Sequence, residues 1–241
     1  MNRRLYALHR WLSALALLQL LVWSVSGLVF ALLPERSVLS PRATSEQHVP
    51  LGSFAEVAPL GPLLDALAPD VRARIETVDL RPARDGLVWI LRGHDLRLRL
   101  DAASGVERPV TADEASWVAR RDQEGEPEVR TVAGYERNAP IEYRGKALPA
   151  WRVCLANEER SCVWIDARTG EVTARRTDAW RVHDFLWGLH TLDWSERDDF
   201  RNPWLIGFGL LAVFTALSGL VLWCARLVRW FRRRGPRRSA P

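Results

Sequence analysis

Trp11-Leu-Ser-Ala-Leu-Ala-Leu-Leu-Gln-Leu-Leu-Val-Trp-Ser-Val-Ser-Gly-Leu-Val-Phe-Ala-Leu-Leu33 runs for 23 residues without a charged side chain, and residues 202–225 repeat the feat for 24. As helices of about 1.5 Å rise per residue, each reaches about 35 Å, enough to cross a hydrocarbon core of about 30 Å. The first run exceeds the roughly 7–15 apolar residues of a secretory leader, and no small-x-small cleavage pattern follows it. Pro34-Glu35-Arg36 ends it, so it reads as an uncleaved anchor. Two spans make a hairpin.

Charge outside the spans sets its orientation. The chain has 34 basic and 29 acidic residues. Arg3, Arg4 and Arg10 lie before the first span, and seven arginines between Arg226 and Arg238 follow the second, with no acid in either tail. The 24 basic and 29 acidic residues that remain leave the middle slightly acidic. Basic flanks stay on the cytoplasmic side, which predicts both termini inside a bacterial inner membrane and residues 34–201 outside it. The arginine tail, directly after a span, reads as a topology anchor meeting anionic lipid, not as a nucleic-acid patch. A composition of 48% apolar residues with three cysteines excludes a disordered chain, a collagen and a disulfide-framed miniprotein.

The outer portion repeats itself. Asp101-Ala-Ala-Ser-Gly105 and Asp166-Ala-Arg-Thr-Gly170 share D-x-x-[ST]-G, a corner opened by Asp and turned by Gly. A helical stretch 54–67 and strands near 75–80, 87–91 and 95–100 precede the first corner. A helix capped by Thr111-Ala-Asp-Glu114 and strands near 129–135, 148–156 and 162–165 precede the second. Helix followed by several strands therefore occurs twice, dividing the chain into 1–33, a first α+β unit 34–110, a second 111–177, a juxtamembrane segment 178–201, the second span 202–225 and the tail 226–241. Cys154 and Cys162 flank a loop around Glu158 and oppose each other if the loop is centred there, a disulfide candidate in an oxidising compartment; two half-buried thiols are the alternative.

His48 and His94 fall in linker and turn sequence. Trp180, His183, Trp187, His190 and Trp194 recur at spacings of 3, 4, 3 and 4, which predicts one stripe on a helix opened by Asp178. An interfacial aromatic belt accounts for the tryptophans but not for two histidines among them. In the first span the same spacing joins His9, Leu12, Ala16, Gln19, Trp23 and Ser26. A mid-membrane Gln19 faces protein rather than lipid, and orients His9 with it. Imidazoles on interior faces bind haem iron, relay protons or make structural hydrogen bonds. His9 and His190 are predicted near opposite membrane faces, and His183 lies about 10.5 Å from His190 along one helix face. No pair of them grips one iron, so a bis-histidine haem needs a ligand from another chain.

These stretches resemble the PepSY-associated transmembrane family. Leu8-His9-Arg10-Trp11-Leu12 and Ser26-Gly27-Leu28 are similar to its opening helix. The D-x-x-[ST]-G corners are similar to PepSY strand endings, and Leu189-His190-Thr191 with Leu217-Ser-Gly-Leu-Val-Leu-Trp223 is similar to its closing pattern. The resemblance implies a membrane α-helical hairpin of two transmembrane helices carrying an α+β extracytoplasmic region of two PepSY-like repeats. Some members have four spans and are linked to reduction of ferric siderophores, with haem b implied on membrane histidines. His9 and His190 carry that role over, His183 is an added candidate, and Trp187 and Gln19 lie on the same cofactor-facing surfaces. This chain has two spans, and Leu192-Asp193-Trp194 stands where a Gly follows L-H-T in the family.

Two functions follow. One is a haem-b electron-transfer protein or subunit of a membrane oxidoreductase, completed as a homo-oligomer or by a partner membrane subunit, passing electrons from a quinone or another donor to an extracytoplasmic acceptor such as ferric iron. The other is a non-catalytic PepSY accessory protein that binds an extracytoplasmic partner. The sequence contains no H-E-x-x-H, C-x-x-C or phosphate-binding Gly loop.

Overall fold

The computed structural model describes residues 3–34, 38 and 57–234. His48 and the start of the helical stretch 54–67 lie outside them. The chain forms two compact units, one of Met1–Leu32 with His183–Pro241 and one of Leu33–Val182.

In the first unit, α1 (Arg3–Leu32) and the C-terminal α6 (Pro203–Arg234) pack side by side. Both are long and apolar enough to cross a membrane over His9–Leu32 and Pro203–Phe231. Their outward faces explain why they need lipid. Trp11, Leu17 and Leu18 on α1, and Trp204, Leu210 and Val221 on α6, are all more than 60% exposed, whereas Ala16 and Ser26 on the inner face are buried. Water would not tolerate so much continuous apolar surface. α6 does not stop at Ala225 but continues to Arg234. Arginine is a good helix former, and the long stems of Arg226 and Arg229 let a guanidinium reach water from a helix still leaving the bilayer.

The second unit holds two antiparallel sheets. Strands β1 (Thr77–Ala83), β2 (Gly86–Gly93) and β3 (Leu96–Asp101) make the first, in sequential order. Short helices α2 (Leu60–Asp65) and α3 (Pro69–Arg72) precede it and bury no side chain, so less of the predicted 54–67 helix forms than its apolar spacing suggested. Gly61 and Pro62, both poor in helix interiors, account for its brevity. The second sheet is β4 (Val129–Tyr135), β5 (Ala150–Leu155), β6 (Cys162–Asp166) and β7 (Val172–Arg176). Helix α4 (Ala112–Arg121) covers one face. Its Thr111 side chain accepts from Glu114 N–H at 3.2 Å, and Ala115 and Ala119 pack on Val153, Leu155, Val163 and Ile165. The opposite face holds Tyr143, Ala150, Trp164 and Ala174.

The two corners are built alike. Asp101 Oδ1 accepts from Ser104 N–H and Asp166 Oδ1 from Thr169 N–H, both at 2.9 Å, and Gly105 and Gly170 turn the chain at φ 71° and 81°. Only glycine takes that left-handed conformation without strain. Ser104 N–H donation holds the Asp101 carboxyl below the usual carboxylate range, against the opposing effect of partial burial. Arg97 on β3 pairs with Asp166, and Arg92 on β2 with Glu171 at 2.5 Å, so the first sheet grips the second sheet's corner. Cys154 and Cys162 face each other across β5 and β6 and form a disulfide.

Candidate functional site

Within the first unit, α5 (Asp178–Thr191) contributes its C-terminal half, His183 to Thr191. His183, Trp187 and His190 stand on one helical face, Trp187 near-parallel to both imidazoles with centroids 6.1 and 6.4 Å away. Phe30 of α1 sits against all three rings, at 4.7 Å from His183, 6.0 Å from Trp187 and 5.7 Å from His190. Trp194 does not join the stripe. The helix ends at Thr191, Leu192 turns into positive φ at 55°, and the Trp194 side chain is exposed.

His190 is held from both ends. Its carbonyl accepts from Trp23 Nε1 at 2.8 Å, and its Nδ1 lies 2.7 Å from Ser26 Oγ. The Ser26 hydroxyl already donates to Val22 O at 2.8 Å. A hydroxyl has one proton to give, so Ser26 accepts, and His190 carries its proton on Nδ1 with the Nε2 lone pair left bare. His9 repeats this arrangement. Its Nδ1 is 3.0 Å from Ser218 Oγ, and the Ser218 hydroxyl donates to Thr215 O at 3.0 Å. His9 Nε2 has only a long 3.4 Å contact with Ser13 Oγ. Both serines open a Ser-Gly-Leu, residues 26–28 and 218–220. That duplicated triplet was visible in the sequence, but nothing there said an imidazole would sit on each serine.

Burial pushes the ionisation of His183 and His190 below the ordinary imidazole value, the Asp184 carboxylate partly opposing it at His183. Both rings are neutral at neutral pH, the form that ligates metal. His190 lies level with Ser26, 17 residues from His9, or about 26 Å along α1. Nearer the N-terminal end of α1, the half-buried Gln19 and, on α6, Thr215 each leave a buried polar atom, Nε2 and Oγ1, without a hydrogen-bond partner among the described residues.

The turn after α5 is as ordered as the helix. Asp193 accepts from the N–H groups of Asp199, Glu196 and Ser195 and from the Ser195 hydroxyl, at 3.0–3.2 Å. Burial works against its charge, yet these donors, Asp199 and Glu196 foremost, hold the carboxyl at about 2. Trp187 Nε1 donates to Arg197 O at 2.8 Å, and Arg197 pairs with buried Asp184. Asn202 donates to Thr191 O and, through Oδ1, accepts Leu205 N–H at 2.9 Å to cap α6, with Pro203 in its first turn.

The haem b implied by the resemblance can be tested on these atoms. An axial imidazole needs one nitrogen oriented by a hydrogen bond and the other free; His190 meets that requirement, and His9 meets it once Nε2 gives up its 3.4 Å contact with Ser13 Oγ. One chain does not supply the rest. The described residues contain no cluster of three metal-ligating side chains, and the apolar groove between α1 and α6, lined by Leu15, Trp204, Phe208 and Leu211, includes no histidine. The donor set therefore fits haem only when a second chain brings the opposing ligand.

Comparison with curated proteins and with solved structures returns no match. A family described as the PepSY-associated TM region matches residues 6–241, which takes in both spans, both corners and all the histidines. With two membrane helices flanking two small sheets and a match over almost its whole length, the chain belongs to the family of PepSY-associated TM regions.

Proposed function

We propose that this chain is a haem-b membrane protein, or the subunit of one, that carries electrons across the bacterial inner membrane to an extracytoplasmic acceptor such as ferric iron. The supporting observation is the matched pair of imidazoles, His9 and His190, each donating from Nδ1 to its serine, with Nε2 bare on His190 and in only a 3.4 Å contact with Ser13 Oγ on His9. Haem, when bound, supplies one-electron chemistry. The residues bind and orient. Ser26 and Ser218 fix the tautomers, Phe30 and Trp187 wall His190 with apolar rings, and Gln19 turns its unpartnered amide toward the same interior. Two sites about 26 Å apart suit a relay between the membrane faces. Each needs a ligand from a second copy or another subunit, and the electrons come from a quinol or a donor protein.

Spectra test this. Oxidised and dithionite-reduced protein in mild detergent should give the split α and β bands of bis-histidine haem. His190→Ala and His9→Ala should each remove part of the signal. A colourless, folded preparation from haem-replete cells overturns the proposal. It would favour the accessory reading, to which the open, polar cleft of the second unit lends support through Arg84, Asp113, Trp117, Arg120 and Glu128.

A further inference from the structure

The disulfide lies on the face of the second sheet that α4 does not cover, among cations. Arg181 Nη2, from the first turn of α5, is 3.2 Å from Cys162 Sγ, and Arg152 Nη2, from β5, is 3.7 Å away. Neither guanidinium is there by chance of length. Glu142 lies 2.7 Å from Arg152 Nε and 3.6 Å from Arg181 Nε, Asp178 holds Arg181 at 3.0 Å, and Arg152 lies 5.8 Å from the Trp164 ring. From β7, Arg176 donates to Glu142 O at 2.5 Å and pairs in register with Cys162. Two guanidinium groups, held by two carboxylates, thus face one sulfur, with Arg176 anchored beside them on the Glu142 and Arg175 carbonyls. The two cysteines are unequal, because Cys162 is 3% exposed while Cys154 is only half-buried.

A disulfide sulfur is a weak acceptor and gains little from two cationic donors. A thiolate gains much, because adjacent cations lower a thiol's ionisation and make it the better leaving group. We infer that Cys154–Cys162 is a thiol-exchange site, reduced by an external dithiol, with Cys154 as the attacked sulfur and Cys162 as the leaving thiolate. A thiolate of the dithiol attacks Cys154 Sγ and forms a mixed disulfide. The Cys154–Cys162 bond breaks and its electron pair leaves on Cys162 Sγ, where Arg152 and Arg181 N–H groups receive it. The second thiolate of the dithiol then displaces Cys154. Two electrons have passed to the protein, both cysteines are reduced, and the dithiol has become a disulfide. This site is independent of the histidines and of haem.

The test uses the full chain in detergent with Cys224→Ser, which removes the exposed third thiol. Incubation with reduced glutathione, acid quenching and peptide mass spectrometry should place glutathione on Cys154 and not on Cys162. With Cys154→Ser added, the Cys162 thiolate, followed by absorbance at 240 nm, should titrate at least one unit below the usual value of about 8.5. Arg181→Gln should raise that midpoint and slow reduction by dithiothreitol about tenfold, with Arg181→Lys restoring part of both. Resistance to glutathione, modification of Cys162 instead, or a midpoint at or above about 8.5 each overturns the inference. The glutathione arm needs no change to the surrounding charges, so a variant that misfolds does not blunt it.

Discussion

Leu192 adopts φ 55° immediately after Leu189-His190-Thr191, where the family resemblance leads one to look for glycine. A non-glycine side chain in the left-handed region costs roughly 1–2 kcal/mol, part of which glycine returns as unfolded-chain entropy. Leu192→Gly should therefore raise the thermal midpoint slightly, by a net gain of less than about 1 kcal/mol in a reversible denaturant melt. Asp193 next to it gives a pH signature. Its folded carboxyl titrates at about 2, below the ordinary value of 3.8, so its stabilising effect is complete above 3.8 and is lost as the pH falls through about 2. The difference in melting temperature between wild type and Asp193→Asn should be constant from neutral pH to about 4 and shrink below it. Ser26→Ala leaves the half-buried His190 Nδ1–H without its acceptor. It should cost about 1–3 kcal/mol in the same melts, whether or not haem is present. The histidines themselves were legible from spacing, because helical periodicity assigns faces. Ser26 was legible as a member of the interior face, but its contact with His190, like that of Phe30, was not, since a contact between α1 and α5 depends on how the chain returns, which no local pattern encodes.

Among the elements, strands and corners were the most legible. Alternation and the Asp/Gly turn chemistry are local, and they place β1 to β6 within a few residues of their observed ends, while β7, beyond the second corner, is not among the strands they predict. Arg99 departs from that logic. The Leu/Arg alternation of β3 suggests arginines turned to solvent, yet Arg99 is 3% exposed and pairs with Glu114, itself 5% exposed, in the first turn of α4. Arg99 Nη1 also reaches Glu114 Oε2 at 2.9 Å and Arg108 O at 3.1 Å. The residue read as half of a capping box is thus the acid of a buried ion pair, and its partner lies 15 positions back, on the first repeat. Glu114→Ala strands a buried guanidinium and should destabilise the second unit by about 3–5 kcal/mol. Replacing both partners with apolar residues of similar volume should cost far less, a contrast that denaturant titration of the single and double variants will read. The 54–67 stretch misleads for the opposite reason: its apolar spacing is helical, but with Gly61-Pro62 only Leu60–Asp65 of its described residues is helical.

At the scale of the whole molecule, the spans were legible because a helix buried in a water-soluble core rarely runs so far without a charge. The sidedness proposed from the arginine tails is open to a direct test. A membrane-impermeant maleimide applied to intact cells should label Ala103→Cys, at the first corner, and should label Ser239→Cys, in the arginine tail, only after lysis. Equal labelling of both before lysis would reverse the assignment. The continuation of α6 to Arg234 has a further consequence. At 32 residues the helix is about 48 Å long, against a hydrocarbon layer of about 30 Å. It must either lean steeply or project beyond the hydrocarbon layer by about three turns in all, and the arginines at 226 and 229 would then fix how far it slides. Bilayer thickness, rather than protein contacts alone, becomes a variable to which this hairpin responds, through the angle at which its longest rod stands.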